Sequence, residues 1–306
     1  MKVLITGANG FLGHYLVPAL LEQGVDVLAT GKGACRLKLA GTYGFAYAEM
    51  DFTDRPSTLA TISNFTPDVV VHAGALSQPD ECELNQAHAW QINTAGTHHL
   101  LQAAAAVKAF FVYISTDFVF NGEKGMYAEE DLPAPVNYYG QTKYEAEQAV
   151  QGYAHDRAIV RTVLVYGQPL AGRSNILSVV KAKLEKGEGY RVVDDQVRTP
   201  TYVGDLADGI VTIIQKKATG TWHLSGADVL TPYEMACKTA DFLGYDRQLL
   251  TRVTADTFSQ PAKRPAKTGF TIAKAKMELG YTPVSFEEGL AKTFPGLKKS
   301  GCMSTR

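Results

Sequence analysis

The chain has 306 residues, 45% of them hydrophobic, and its 30 Lys and Arg nearly balance its 31 Asp and Glu for a net charge of −1. That is the composition of an ordinary globular protein with enough length to bury a sizeable core. Near-neutral charge without a basic run argues against a nucleic-acid partner, and apolar runs such as Val69-Val70-Val71 are too short to span a membrane.

Lys2 to Thr6 reads as a buried strand, and it runs straight into Gly7-Ala8-Asn9-Gly10-Phe11-Leu12-Gly13 and then an amphipathic run through Glu22. Between a strand and a helix, a G-x-x-G-x-x-G spacing carries meaning. Gly7, Gly10 and Gly13 let the backbone turn tightly and approach a pyrophosphate. Asn9, Phe11 and Leu12 belong to the same loop, at the helix N-terminus whose amides hold the anion. These residues predict a dinucleotide site. The N-terminus lacks the apolar region of a secretion signal, and Cys35, Cys82, Cys237 and Cys302 show no paired spacing. A cytoplasmic protein without disulfides is expected. No His, Cys or carboxylate cluster has metal-ligand spacing, so no bound metal is expected either.

The next strand is Val25 to Thr30. An acidic residue usually follows here, roughly 20 residues past the glycines, when the ribose 2′-hydroxyl is free. Instead the segment reads Ala29-Thr30-Gly31-Lys32-Gly33, with Arg36 just beyond. Lys32 and Arg36 favour a 2′-phosphate, hence NADP, with NADPH preferred over NADH. Phe45 to Glu49 is a short strand, and Asp51 and Phe52 after it are placed to flank an adenine. A helix is expected over Leu59 to Phe65, and a continuous apolar strand over Asp68 to His72 ends in the small residues Ala73-Gly74-Ala75, where a cofactor can pass closely. One long helix is predicted from Asn85 to Val107, then a strand from Phe110 to Ile114. Ser115-Thr116-Asp117 sits at its C-terminal edge, where doubly wound sheets bind ligands.

After a loop rich in Gly, Pro and acids comes Asn137-Tyr138-Tyr139-Gly140-Gln141-Thr142-Lys143, opening a helix-forming run. Tyr139 and Lys143 are four apart and share a helix face. A phenol has a pKa of about 10. A cation nearby lowers it, which suits Tyr139 to proton exchange with a carbonyl or alcohol. Lys143 also offers three donors for ribose hydroxyls. Ala158 to Thr162 is one more strand. Beyond Gly167 the alternation loosens: helices are expected at Ile176 to Glu185, Leu206 to Gln215 and Tyr233 to Leu243, and short strands near Tyr190 to Val193 and Thr221 to Leu224. The pattern predicts an α/β architecture: a Rossmann-type doubly wound parallel sheet over residues 1–166, carrying the catalytic residues, and a smaller, mixed, substrate-binding lobe over 167–306, part of which returns to the first domain. Trp222 and Tyr202 read as core, and 298–306 as a frayed tail.

The glycine loop, Thr116 and Tyr139-x-x-x-Lys143 together resemble the extended short-chain dehydrogenase/reductases, and most closely the dTDP-4-dehydrorhamnose reductase family. The similarity extends to Ser115-Thr116-Asp117-Phe118-Val119-Phe120, Asp195-Gln196 with Pro200-Thr201, and Arg264-Pro265. It implies an oxidoreductase that reduces the 4-keto group of a nucleotide-linked 6-deoxy sugar with NAD(P)H, as in dTDP-L-rhamnose biosynthesis. It also implies that Thr116 bonds the substrate carbonyl, Tyr139 donates the proton, and Lys143 holds the ribose and tunes Tyr139. Asp117, Phe118, Arg198 and Arg264 would line the substrate site. A homodimer is left open.

Phe118 stands where related dehydratases carry Glu, and no cysteine lies in this stretch as in the epimerase-reductases. Arg198 replaces a usual glycine, and Lys267-Thr268 a usual Asn-Ser. Arg198 suits either a bidentate diphosphate contact or a surface or interdomain salt bridge. The regulatory subunit of methionine adenosyltransferase resembles the same family. A non-catalytic NADP-binding regulator is therefore the alternative to an enzyme.

Overall fold

Every residue of the first strand after Lys2 is buried, as a strand covered on both faces requires. The structure, a computed structural model, describes residues 1–170 and 174–297; the tail expected to fray lies outside the described residues. The strands of the first half are β1 (Lys2–Thr6), β2 (Asp26–Gly31), β3 (Phe45–Glu49), β4 (Val69–His72), β5 (Phe110–Thr116) and β6 (Arg157–Thr162). The second half adds β7 (Val165–Tyr166), β8 (Tyr190–Val193), β9 (Thr201–Tyr202), β10 (Gly220–His223) and β11 (Leu250–Val253). Seven of them form one sheet in the order β10-β6-β5-β4-β1-β2-β3, and every neighbouring pair runs parallel. The chain winds outward from β1 in one direction and from β4 in the other. Their C-terminal ends therefore border the crevice where such sheets bind ligands.

Helices cover both faces. They are α1 (Gly13–Glu22), α2 (Arg55–Phe65), α3 (Pro79–Leu84), α4 (Gln86–Trp90), α5 (Gly96–Ala106), α6 (Tyr138–Gln151), α7 (Ile176–Glu185), α8 (Val203–Lys216), α9 (Pro232–Leu243) and α10 (Phe286–Thr293). Strand alternation sends Val3 and Ile5 against Leu16 and Leu20 of α1 and Ile210 and Ile213 of α8. The intervening Leu4 meets Ile62, Leu100 and Val150 on α2, α5 and α6. α8 and β10 come from the second half of the chain and complete the sheet and one of its layers. Trp222 of β10 is buried in the same core. The remaining short pairs are β8 with β11 and β7 with β9, beside α7, α9 and α10.

Helices α3 and α10 are not among those expected, and α8 begins three residues before Leu206; two further departures have local causes. α2 begins at Arg55, four residues before Leu59, because Pro56 presets the first turn and Asp54 leads into it in an extended conformation. The long helix expected from Asn85 to Val107 is interrupted by a π turn at Gln91–Ala95, between α4 and α5. The turn inserts a residue, and Asn93 within it holds Leu76 by both backbone groups.

Candidate active site

The glycine loop crosses the end of β1 at Gly7, whose φ is +69°. A Cβ there would lie 2.7 Å from Gly74 Cα, so two backbone segments meet with no room for a side chain. Gly13 starts α1, which no side chain caps at Leu12, and the loop that leads into it brings backbone amides to this helix N-terminus. A cavity of about 480 Å³ opens here, with Gly7, Asn9, Gly10, Phe11 and Leu12 on one wall and Ala73, Gly74 and Ala75 on another.

Asn9 organises the adjacent loop: its side chain donates to the Ala34 carbonyl at 3.0 Å and accepts from the Arg36 amide at 2.8 Å. Arg36 lines the cavity, while Lys32 pairs with Asp51 at 2.8 Å, both half exposed. Phe52 is buried, its ring beneath Gly74 and Gly96 and edge-on to His72. Thr162, Val165 and Leu206 also line the cavity. Sequence reading did not single them out, although Thr162 ends a strand and pairs in register with Thr116.

α6 begins where Asn137 Oδ1 accepts from the Gly140 amide at 2.9 Å and its Nδ2 donates to the Lys263 carbonyl at 2.7 Å. Gly140 lets the helix press on the end of β5; a Cβ there would lie 2.1 Å from the Phe118 carbonyl oxygen. Tyr139 is buried, with its ring edge-on to Phe118 at 5.6 Å. Lys143, one turn on, is also buried; its ammonium donates to the Ile114 carbonyl at 2.8 Å and sits 4.1 Å from the Tyr113 ring centroid. Burial pulls its pKa down to about 7, against the negative charge of Glu147, which raises it.

Thr116 Oγ1 donates to Asp117 Oδ1 at 3.1 Å and accepts from the Phe118 amide at 3.3 Å. The buried Asp117 also accepts from the Thr268 hydroxyl, and Arg198 Nε lies 3.7 Å from its Oδ2. Burial raises the Asp117 carboxyl above its usual range, and Arg198, Thr268 and Thr116 oppose that rise. The terminal nitrogens of Arg198 are engaged within the protein. They donate to the carbonyls of Val197, Pro265 and Ala266 at 2.7–3.0 Å and to Gln196 Oε1 at 3.2 Å. In this arrangement the Arg198 guanidinium is buried and bonded to backbone carbonyls and Gln196, neither a surface salt bridge nor open to a diphosphate. Arg264 is paired with Asp80, with NH2 to Oδ2 at 2.7 Å, and donates to the Ala262 carbonyl at 2.6 Å. Thus Thr116, Asp117, Phe118 and Arg198 converge at the start of α6, and Arg264 is held in an ion pair.

Among the described residues no group of three or more His, Cys, Asp or Glu is arranged to hold a metal ion, and no helix is long and apolar enough to cross a membrane. The chain is 31% identical to the spore coat polysaccharide biosynthesis protein SpsK of Bacillus subtilis (strain 168), over 94% of this chain and 95% of that one. It is 32% identical to the rat (Rattus norvegicus) methionine adenosyltransferase 2 subunit beta, over 89% of this chain and 81% of that one. The fold superposes with a TM-score of 0.85 on the dTDP-4-dehydrorhamnose reductase (rfbD) of Bacillus anthracis str. Ames in complex with NADP, at 31% identity and covering 95% of this chain and 98% of that one. The model of the RmlD substrate binding domain matches residues 1–298, and the chain belongs to that family.

Proposed function

We propose that the protein is an NADPH-dependent reductase of the 4-keto group of a nucleotide-linked 6-deoxy sugar, with dTDP-4-dehydrorhamnose its leading candidate substrate. The observation that carries this reading is the joint placement of buried Tyr139 and Lys143 on one face of α6, against the strand end that bears Thr116. The cavity fits the dinucleotide: an uncapped helix N-terminus and the close Gly7–Gly74 approach suit a pyrophosphate. Arg36 on its wall suits a 2′-phosphate, and Lys32, paired with Asp51, belongs to the loop that Asn9 organises. The reductase of Bacillus anthracis, similar over nearly the whole chain, holds NADP.

When bound, the cofactor supplies the hydride. Tyr139 gives its phenolic proton to the developing alkoxide, Thr116 donates a hydrogen bond to the same oxygen, and Lys143 holds the nicotinamide ribose and keeps Tyr139 acidic. For that role Thr116 must turn its hydroxyl hydrogen away from Asp117 Oδ1. Asp117, held by Thr268 and Arg198, then supports the turn on which Thr116 and Phe118 sit.

NADPH oxidation followed spectrophotometrically over a panel of nucleotide-linked 4-keto sugars tests the reading; turnover is expected with a thymidine-linked member, and weaker binding of NADH than NADPH. The identity to methionine adenosyltransferase 2 subunit beta favours a second reading, a non-catalytic NADP-binding regulator. NADPH binding with no turnover across the panel would move that reading ahead.

A pH dependence follows from Lys143. The protonated amine is the form that donates to the ribose, and burial brings its pKa to about 7. NADPH affinity is therefore full below that value and declines as pH rises through it. Titrations over about pH 6 to 9, a range that brackets this value, are expected to show this loss, and Lys143→Met is expected to bind weakly with little of it. A Lys143→Met protein with the unmodified pH profile would remove Lys143 from the explanation.

A further inference from the structure

A buried polar chain runs behind the cavity and takes no part in the chemistry above. Its centre is His72, the last residue of β4, 1% exposed. Nδ1 lies 2.7 Å from Thr6 Oγ1 at the end of β1, and Nε2 lies 3.1 Å from Thr97 Oγ1 on α5. The Gly74 amide donates to Thr6 Oγ1 at 3.3 Å, and Thr97 Oγ1 donates to the Asn93 carbonyl at 2.6 Å. Asn93 also donates from Nδ2 to Thr142 Oγ1 at 3.0 Å, and Thr142 donates to the Tyr139 carbonyl at 2.8 Å.

Counting protons assigns the tautomer. A hydroxyl has one hydrogen to give. That of Thr97 goes to a carbonyl, so Thr97 accepts from His72, and Nε2 carries the hydrogen. The bare Nδ1 then accepts the Thr6 hydroxyl hydrogen, which leaves Thr6 Oγ1 to accept from Gly74. Each link points the same way, from Gly74 through Thr6, His72 and Thr97 to Asn93. A charged imidazolium would put a hydrogen on Nδ1 facing that of Thr6. Burial, with the nearby charge of Lys143, holds the imidazole well below its usual pKa and thus neutral. Phe52 and Tyr113 pack against the ring at 5.0 and 5.5 Å between centroids and hold it in place.

The two ends of this chain touch the two working parts of the site. Gly74 and Leu76 line the dinucleotide cavity, and Leu76 is clamped by Asn93 through its N–H and C=O. The far end holds the backbone of Tyr139. We infer that His72, as its neutral Nε2–H tautomer, is a positioning residue that couples occupancy of the dinucleotide cavity to the setting of the Tyr139 helix. The inference rests on the reading of the cavity as the NADP site and of Tyr139 as the proton donor. Coupling of this kind needs a continuous path with both ends at functional elements, and it is established only by breaking one link.

Thr97→Val breaks a single link while keeping the side chain's shape, and Thr97→Ser keeps the hydroxyl. Hydrogen–deuterium exchange is measured with and without saturating NADP. In the unmodified protein NADP is expected to slow exchange over 7–13, 91–97 and 139–143. Thr97→Val is expected to keep the slowing over 7–13 and lose it over 139–143, with turnover down about fivefold or more. NADPH affinity should change far less, and Thr97→Ser should restore both readouts. Nitrogen-15 spectra should show the His72 Nε2–H tautomer, with His72→Phe identifying the signal where it folds. An Nδ1–H signal, no response of 139–143 in the unmodified protein, an undiminished response in Thr97→Val, or failure of Thr97→Ser to rescue overturns the inference. An exchange pattern as expected in a protein that turns over none of the sugar panel would support the coupling and count against the reductase reading instead.

Discussion

Tyr139→Phe is expected to lower turnover on a 4-keto sugar nucleotide by about 10²–10⁴-fold, the range for loss of a general acid, with NADPH affinity nearly unchanged. The ring is buried and packs edge-on to Phe118, contacts that a phenylalanine ring keeps. The helix start is set by Asn137 and Gly140, which the substitution does not touch. The pyrophosphate contacts come from the Gly7–Gly13 loop on another element. The change thus removes one oxygen and its proton from the proposed reaction and leaves the packing of the ring in place. Steady-state kinetics beside a fluorescence titration of NADPH separate the two effects. Full turnover in Tyr139→Phe would mean that the proton comes from elsewhere. A large loss of NADPH affinity would mean that the phenol serves the cofactor more than the substrate.

The parts of this site that were legible in the sequence are those whose meaning is local. The strand Lys2–Thr6, the glycine loop and the start of α1 occupy consecutive residues, and their chemistry follows from backbone geometry alone. Tyr139 and Lys143 share a helix face by spacing, and the helix is there. What could not be read was the partner of each charge. Arg198 and Thr268 stood out as departures from the family pattern, but their convergence on Asp117 joins residues 151 positions apart in the case of Thr268. Arg264 finds Asp80 across 184 positions. A cation in a sequence offers a charge without saying whether a ligand or a carboxylate will meet it. The strands β7 and β9 escaped for a related reason: two residues carry no periodicity, and only pairing defines them; β11, beside β8, was not read either. The π turn carries Asn93, which clamps Leu76, another contact between segments.

The largest expected effect on stability lies one turn beyond Lys143. Glu147 is on the same face of α6 as Tyr139 and Lys143, and it is fully buried. Its carboxylate accepts from Arg161 Nε at 3.0 Å and from NH2 at 2.7 Å, and the guanidinium lies 5.1 Å from the Phe120 ring centroid. Arg161 belongs to β6, so the pair fastens the proposed catalytic helix to the sheet. Arg161→Leu leaves the buried Glu147 carboxylate without its guanidinium partner and is expected to cost about 3–5 kcal/mol, whereas ion pairs at a protein surface contribute about 0–1 kcal/mol. Replacing both partners, Arg161→Leu with Glu147→Met, removes the unpaired charge and should recover much of the loss, because well-packed apolar groups substitute for a buried pair at little net cost. Urea unfolding of the two single variants and the double variant measures this. A single-variant loss below about 1 kcal/mol, as at the surface, would mean that water reaches the pair. The double variant also separates stability from chemistry. Without the Glu147 charge that raises it, the Lys143 pKa falls further. The loss of NADPH affinity with rising pH should therefore begin at lower pH in the double variant, even where its stability has been restored.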